Sequence, residues 1–139
     1  MQYDRQGFID ADDGTRLFFG LRGPANSDKT PVVLCDGIGC DGFVWRYLQP
    51  HLAEDRLVVH WHYRGHGRSG PPPSSRTMTI EALAQDMGRL IEHIGLEKVL
   101  IAGHSMGTLV ALEWESFAPE RCAGGLMLCG SAGRITQTF

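Results

Sequence analysis

Ser105 stands at the centre of Gly103-His104-Ser105-Met106-Gly107, with a glycine two residues away on either side. A largely apolar run, Lys98-Val99-Leu100-Ile101-Ala102, precedes it, and a helix-like run from Thr108 to Ala118 follows. Strand, Gly-x-Ser-x-Gly, helix is the context of a nucleophile elbow. The chemistry such a turn serves is acyl transfer. A hydroxyl lifted clear of a sheet attacks a carbonyl, and the next backbone N–H, that of Met106, binds the oxyanion. The turn needs glycine-sized residues at 103 and 107, because a Cβ at either place meets neighbouring backbone.

Acyl transfer also needs a base, an orienting acid and a second oxyanion donor. The donor is expected from the loop after the apolar run Val32–Cys35, which reads Asp36-Gly37-Ile38-Gly39-Cys40. Its glycines let N–H groups turn inward, and Ile38 N–H is the candidate. Gly37, Cys40 and His104 are the candidate substrate contacts. Cys40 counts only if its thiol faces Ser105; packing within the loop is the plainer role.

The base is harder to find. All six histidines lie at or before the elbow, and the acids after it are Glu113, Glu115 and Glu120. Glu113 and Glu115 fit a solvated helix face. His104 is adjacent to Ser105 and cannot turn its ring onto the hydroxyl. His66 reads as structural, and His51, His60, His62 and His93 have no positional argument. A serine hydroxyl without a base is a weak nucleophile. Such a site keeps only about 10³–10⁴-fold catalysis from its oxyanion donors and binding.

The elements that must position these groups can be read in turn. Gly7–Asp10 and Thr15–Leu21 are strands joined at Asp13-Gly14, a hairpin signal. Val32–Cys35 is apolar throughout, as in a buried parallel strand. Phe43–Ala53 reads as one short helix despite Pro50, and Arg56–Trp61 as a strand. Ile80, Leu83, Ala84, Met87, Leu90, Ile91 and Ile94 form one apolar stripe at a 3.6-residue period. Thr77 or Thr79 can cap that helix and Gly95 can close it. Gly124–Cys129 is the last strand. After the hairpin, β and α alternate, which predicts an α/β fold: a mostly parallel sheet with helices on both faces.

Composition excludes several function classes. With 139 residues, 42% apolar and 21% charged, the chain can build one ordinary core. A net charge of −3 with no basic run argues against nucleic acid as partner. No apolar stretch approaches the roughly 20 residues of a membrane span. Met1-Gln2-Tyr3-Asp4-Arg5 is no secretory signal, so a cytoplasmic location is expected. The four cysteines have no spacing for zinc or a redox pair and read as reduced packing residues.

Three landmarks, in order, resemble the α/β-hydrolase fold family, of the esterase, lipase and peroxidase-like kind. They are the strand with Asp36-Gly37-Ile38-Gly39, the turn Tyr63-Arg64-Gly65-His66-Gly67-Arg68-Ser69, and the elbow. The departures are Asp36 where the family often has His, His62 where it usually has Asp, and Thr108 for a common third glycine. The resemblance implies that residues 1–139 are the N-terminal part of a single domain, a core truncated after about six strands. The cap, the last strands, the triad acid and the histidine would then be absent. Gly130-Ser131-Ala132-Gly133 fills the place where some relatives carry the acid. Strand 124–129 becomes an apolar sheet edge, expected to be covered by self-association or a second polypeptide.

A serine at the elbow implies cleavage of an ester-like bond (carboxylic ester, thioester, lactone or amide) in a small acyl substrate through an acyl-enzyme. Neither metal nor organic cofactor is implied. Lack of a histidine after Ser105 keeps a second reading open, a non-catalytic binding or interaction module. A third, a nucleotide binder, rests on Gly37-x-Gly39-x-x-Gly42. It is set aside because the next strand ends His60-Trp61-His62, with no acid for a ribose.

Overall fold

The computed structural model describes residues 1–131. Ala132 and Gly133, read with Gly130 and Ser131 as an acid-free segment, lie outside them. Six strands form one sheet: β1 (Arg5–Asp10), β2 (Arg16–Arg22), β3 (Val32–Cys35), β4 (Val58–Trp61), β5 (Val99–His104) and β6 (Cys122–Leu128). Three α-helices connect them: α1 (Leu48–Leu52), α2 (Ile80–Ile94) and α3 (Met106–Phe117). The strand order is β1-β2-β4-β3-β5-β6. Pairings β1–β2 and β2–β4 are antiparallel; β4–β3, β3–β5 and β5–β6 are parallel. This is the mostly parallel sheet that the alternating elements predict.

Helices cover both faces. Val33 and Cys35 of β3 and Val59 and Trp61 of β4 face α2 and α3, meeting Met87, Leu90, Ile91, Val110 and Trp114. Val32, Leu34 and Val58 face the other way and pack with Trp45 and Ala102, and with Leu48 and Leu52 of α1. Period-two alternation explains why these strands are apolar throughout: each side chain has a helix above or below it. α2 follows its stripe, with Thr79 Oγ1 accepting from Ala82 N–H at the start and Gly95 left-handed at the end. Among the described residues no helix is long and apolar enough to cross a membrane.

The structure corrects several boundaries. Phe43–Ala53 is not one helix. A 3₁₀ turn, Phe43–Trp45, is followed by α1 from Leu48. Pro50 lacks the N–H that a continuous helix would bond to the Arg46 carbonyl, so the helix restarts with proline in its first turn. β6 begins at Cys122 rather than Gly124: Val99 pairs with Cys122 and Leu100 with Gly124, so Ala123 is the extra residue of a bulge, and Gly124 beside it has φ 148°. β4 starts two residues late, at Val58. The elbow itself shrinks: β5 runs to His104 and α3 starts at Met106, leaving Ser105 alone as the turn.

The Arg64–Ser69 turn is anchored on three sides. Arg64 donates two hydrogen bonds to the Asp86 carboxylate of α2 at 2.8 and 2.7 Å, and a third to Asp13 of the hairpin at 2.8 Å. Ser69 Oγ accepts from Phe18 N–H and donates to the His62 carbonyl. β6 is the sheet edge among the described residues, with Leu126 49% exposed and Met127 beside it. An apolar recess of about 230 Å³ lies next to it, lined by Val32, Leu48, Leu52, Leu100 and Leu126.

Candidate active site

Ser105 has φ 52° and ψ −117°, a conformation a side chain rarely adopts. The surrounding glycines explain how the fold holds it there. A Cβ on Gly103 would lie 2.6 Å from the Gly107 carbonyl oxygen, and one on Gly107 would collide with the Cys35 carbonyl. β5, α3 and the end of β3 therefore close to a distance only glycine permits. Ser105 N–H donates to the Leu128 carbonyl at 2.9 Å, and its own carbonyl accepts from Thr108 N–H at 3.0 Å. The hydroxyl is not consumed in capping α3 and has no hydrogen-bond partner among the described residues. Met106 is the first residue of α3, so its N–H has no partner within the helix, and the positive end of the helix dipole lies at Ser105.

The loop after β3 comes up against the elbow. A Cβ on Gly37 would lie 3.1 Å from Ser105 Cβ and 2.9 Å from His104 Nδ1. Cys40 N–H turns back to the Gly37 carbonyl at 3.2 Å, closing a tight turn. Within it, Ile38 projects its side chain outward, 72% exposed, and its N–H bonds no group among the described residues. Gly37, Ile38, His104, Ser105 and Met106 thus gather in one place. His104 turns its ring onto Gly37 and, edge to face, toward Trp45. Its Nδ1 is buried without a partner, so only the outer part of the ring is left to meet a ligand. Cys40 is half-buried and makes no hydrogen bond to Ser105 among the described residues; burial, then Asp36, pushes its thiol above the usual range. Thr108 is buried, and its side chain fills the space a Cβ on Gly130 would need.

Both departures at polar positions have a structural answer. Asp36 is 2% exposed, and its carboxylate accepts from Trp45 Nε1 at 2.7 Å and pairs with His60 Nε2 at 2.9 Å. Its carbonyl accepts from Tyr63 Oη at 2.8 Å. His62 Nδ1 accepts from Arg68 N–H at 2.8 Å, using a neutral ring as the acceptor. Burial, reinforced by His60, holds the His62 imidazole down at about 4.

Sequence reasoning missed His60 and Asp86. The signals were present. His60 lies in β4 and His62 follows that strand, two residues apart, beside β3, which leads directly into Asp36. Asp86 occupies a position on the apolar stripe, between Leu83 and Met87, where a charge needs a partner. Glu115 is exposed and Glu113 half-buried, each about two turns or more along α3 from the elbow.

A family model described as the alpha/beta hydrolase fold matches residues 30–138. The dihydrolipoyllysine-residue acetyltransferase component of the acetoin cleaving system of Pseudomonas putida is 36% identical over 125 residues, 88% of this chain and 32% of that protein. Bifunctional epoxide hydrolase 2 of Sus scrofa is 31% identical over 116 residues, 83% of this chain and 20% of that one. A solved structure from work on carboxylesterases of Nitrososphaera gargenis superposes with a TM-score of 0.81 at 28% identity, over 90% of this chain and 46% of its own. The chain spans less than half the length of each of these proteins. With the match covering most of the sequence and the sheet order and elbow as described, the chain belongs to the alpha/beta hydrolase fold family.

Proposed function

We propose that Ser105 is the nucleophile of a hydrolase that cleaves an ester-like bond of a small acyl substrate through an acyl-enzyme. The observation that carries this reading is the strained backbone of Ser105 at the start of α3, with its hydroxyl unpartnered among the described residues. A base removes the hydroxyl proton as Oγ attacks the carbonyl carbon. The oxyanion is bound by Met106 N–H and Ile38 N–H, donors that gain strength as charge develops. The intermediate collapses, the leaving group takes the proton from the base, and water then releases the acid by the same route. Gly37 and His104 border the carbonyl, and Cys40 borders the loop's outer side. No histidine follows Ser105, and none of the six bonds its hydroxyl among the described residues, so this reading assigns no base or acid within these 139 residues. The names of the acetyltransferase component and the carboxylesterases agree with acyl chemistry. A serine where attack on an epoxide calls for a carboxylate separates this chain's chemistry from that of the epoxide hydrolase.

The missing histidine also favours a second reading, a non-catalytic binding or interaction module. Reaction with an ester separates the two. The hydrolase reading expects 4-nitrophenyl acetate to leave an acetyl group on Ser105, read by mass spectrometry and absent in Ser105→Ala; residual turnover of at most about 10³–10⁴-fold over water comes from the oxyanion donors and survives that change. No acetyl group on Ser105 after prolonged incubation contradicts it. Two further readings belong here. The exposed β6 edge takes a second copy or a second polypeptide, and four free cysteines fit a reducing, cytoplasmic setting.

A further inference from the structure

We propose that Tyr3, His60, Asp36 and Trp45 are positioning residues that set the oxyanion loop, so that the N-terminal arm is part of the site's machinery. The inference rests on the reading of Ile38 N–H as an oxyanion donor. Tyr3 Oη lies 2.7 Å from His60 Nδ1, and His60 Nε2 lies 2.9 Å from Asp36 Oδ2. A carboxylate only accepts, so His60 Nε2 carries a proton, and in the neutral ring Nδ1 accepts from the Tyr3 hydroxyl. Asp36 therefore fixes the tautomer, and Tyr3 supplies the donor that the remaining ring nitrogen, Nδ1, needs. Its ring stacks on His60 at an interplanar angle of 7° and meets Phe18 edge to face. Tyr3 also fills the space above Gly20, and Met1 fills that above Gly42.

Leverage comes from position. Asp36 immediately precedes Gly37, which touches Ser105, and lies two residues before Ile38. A buried carboxylate cannot leave Trp45 and His60 without stranding its charge. The loop is thereby tied at its first residue, and a donor displaced by about 1 Å costs on the order of 100-fold in rate. The tether spans the sequence from residue 3 to residue 60, so no local motif reveals it.

Tyr3→Phe removes only the hydroxyl. His60→Leu removes both bonds, and His60→Gln keeps an N–H at the Nε2 place. Two measurements read them: amide hydrogen exchange across 36–42 against that in α2, and kcat against KM for 4-nitrophenyl acetate. Expected in Tyr3→Phe and His60→Leu is at least about ten-fold faster exchange in the loop with α2 unchanged. A fall in kcat with KM held is expected alongside, since the donor acts on the transition state. His60→Gln should recover part of both. Unchanged loop exchange, or equal acceleration in α2, overturns the proposal. Selective loop acceleration in a protein whose Ser105 takes no fluorophosphonate upholds the tether and removes the hydrolase reading instead.

Discussion

The backbone N–H of Ser105 donates to the carbonyl of Leu128 at 2.9 Å, so the elbow hangs from the edge strand of the sheet. Whatever covers β6 therefore also bears on Ser105. Leu126 and Met127 are exposed on that strand beside an apolar recess. The chain is expected to self-associate at micromolar concentration, eluting above its 15.3 kDa mass in size exclusion. Leu126→Lys should return it to that mass, because a charge on an edge blocks strand addition. A wild-type chain that elutes as a stable monomer contradicts the expectation.

Gly107→Ala drives a methyl into the Cys35 carbonyl at the end of β3. Neither strand nor helix can withdraw without disturbing the core, so a loss of about 1–3 kcal/mol is expected. Urea unfolding measures it; an unchanged midpoint means the elbow is looser than described.

Arg64→Met leaves the Asp86 carboxylate buried with its main partner gone. Burial already raises the Asp86 carboxyl despite the arginine. The single variant should lose about 3–5 kcal/mol, and Arg64→Met with Asp86→Leu should recover most of it. Equal losses in the single and double variants would show that the pair is not the source.

The His62 ring gives a pH dependence of defined sign. Held at about 4 in the fold and near 6.5 when unfolded, it takes a proton in the unfolded chain first. Stability should therefore be flat with respect to this group above about 6.5 and fall as pH drops toward 4, by at most one proton per molecule. His62→Asn keeps an acceptor for Arg68 N–H and should remove that limb from a plot of unfolding free energy against pH. A wild-type plot indistinguishable from that of His62→Asn refutes the assignment.

Local pattern revealed the parts of this molecule whose causes are local. The α2 stripe, the Thr79 cap and the Gly103–Gly107 turn depend on residues within a few positions of each other, and the structure has them where the spacing puts them. The break between Trp45 and Leu48 is local too: Pro50 lacks the N–H that one continuous helix over Phe43–Ala53 would need. What spacing did not disclose is pairing at long range: Tyr3 with His60, His60 with Asp36, Arg64 with Asp86. Each depends on strand order and register, which place β4 between β2 and β3. The partners of Asp36 and His62 lie in other elements or beyond the next turn, so the sequence shows the two departures without what answers them.

The central claim is that the Ser105 hydroxyl reacts as a nucleophile. Incubation of the chain with a fluorophosphonate, followed by digestion and mass spectrometry, tests it most directly. The account predicts a phosphonyl adduct on the peptide containing Ser105, slow in this chain and absent from Ser105→Ala. No adduct under prolonged exposure, or an adduct that survives Ser105→Ala, would contradict it.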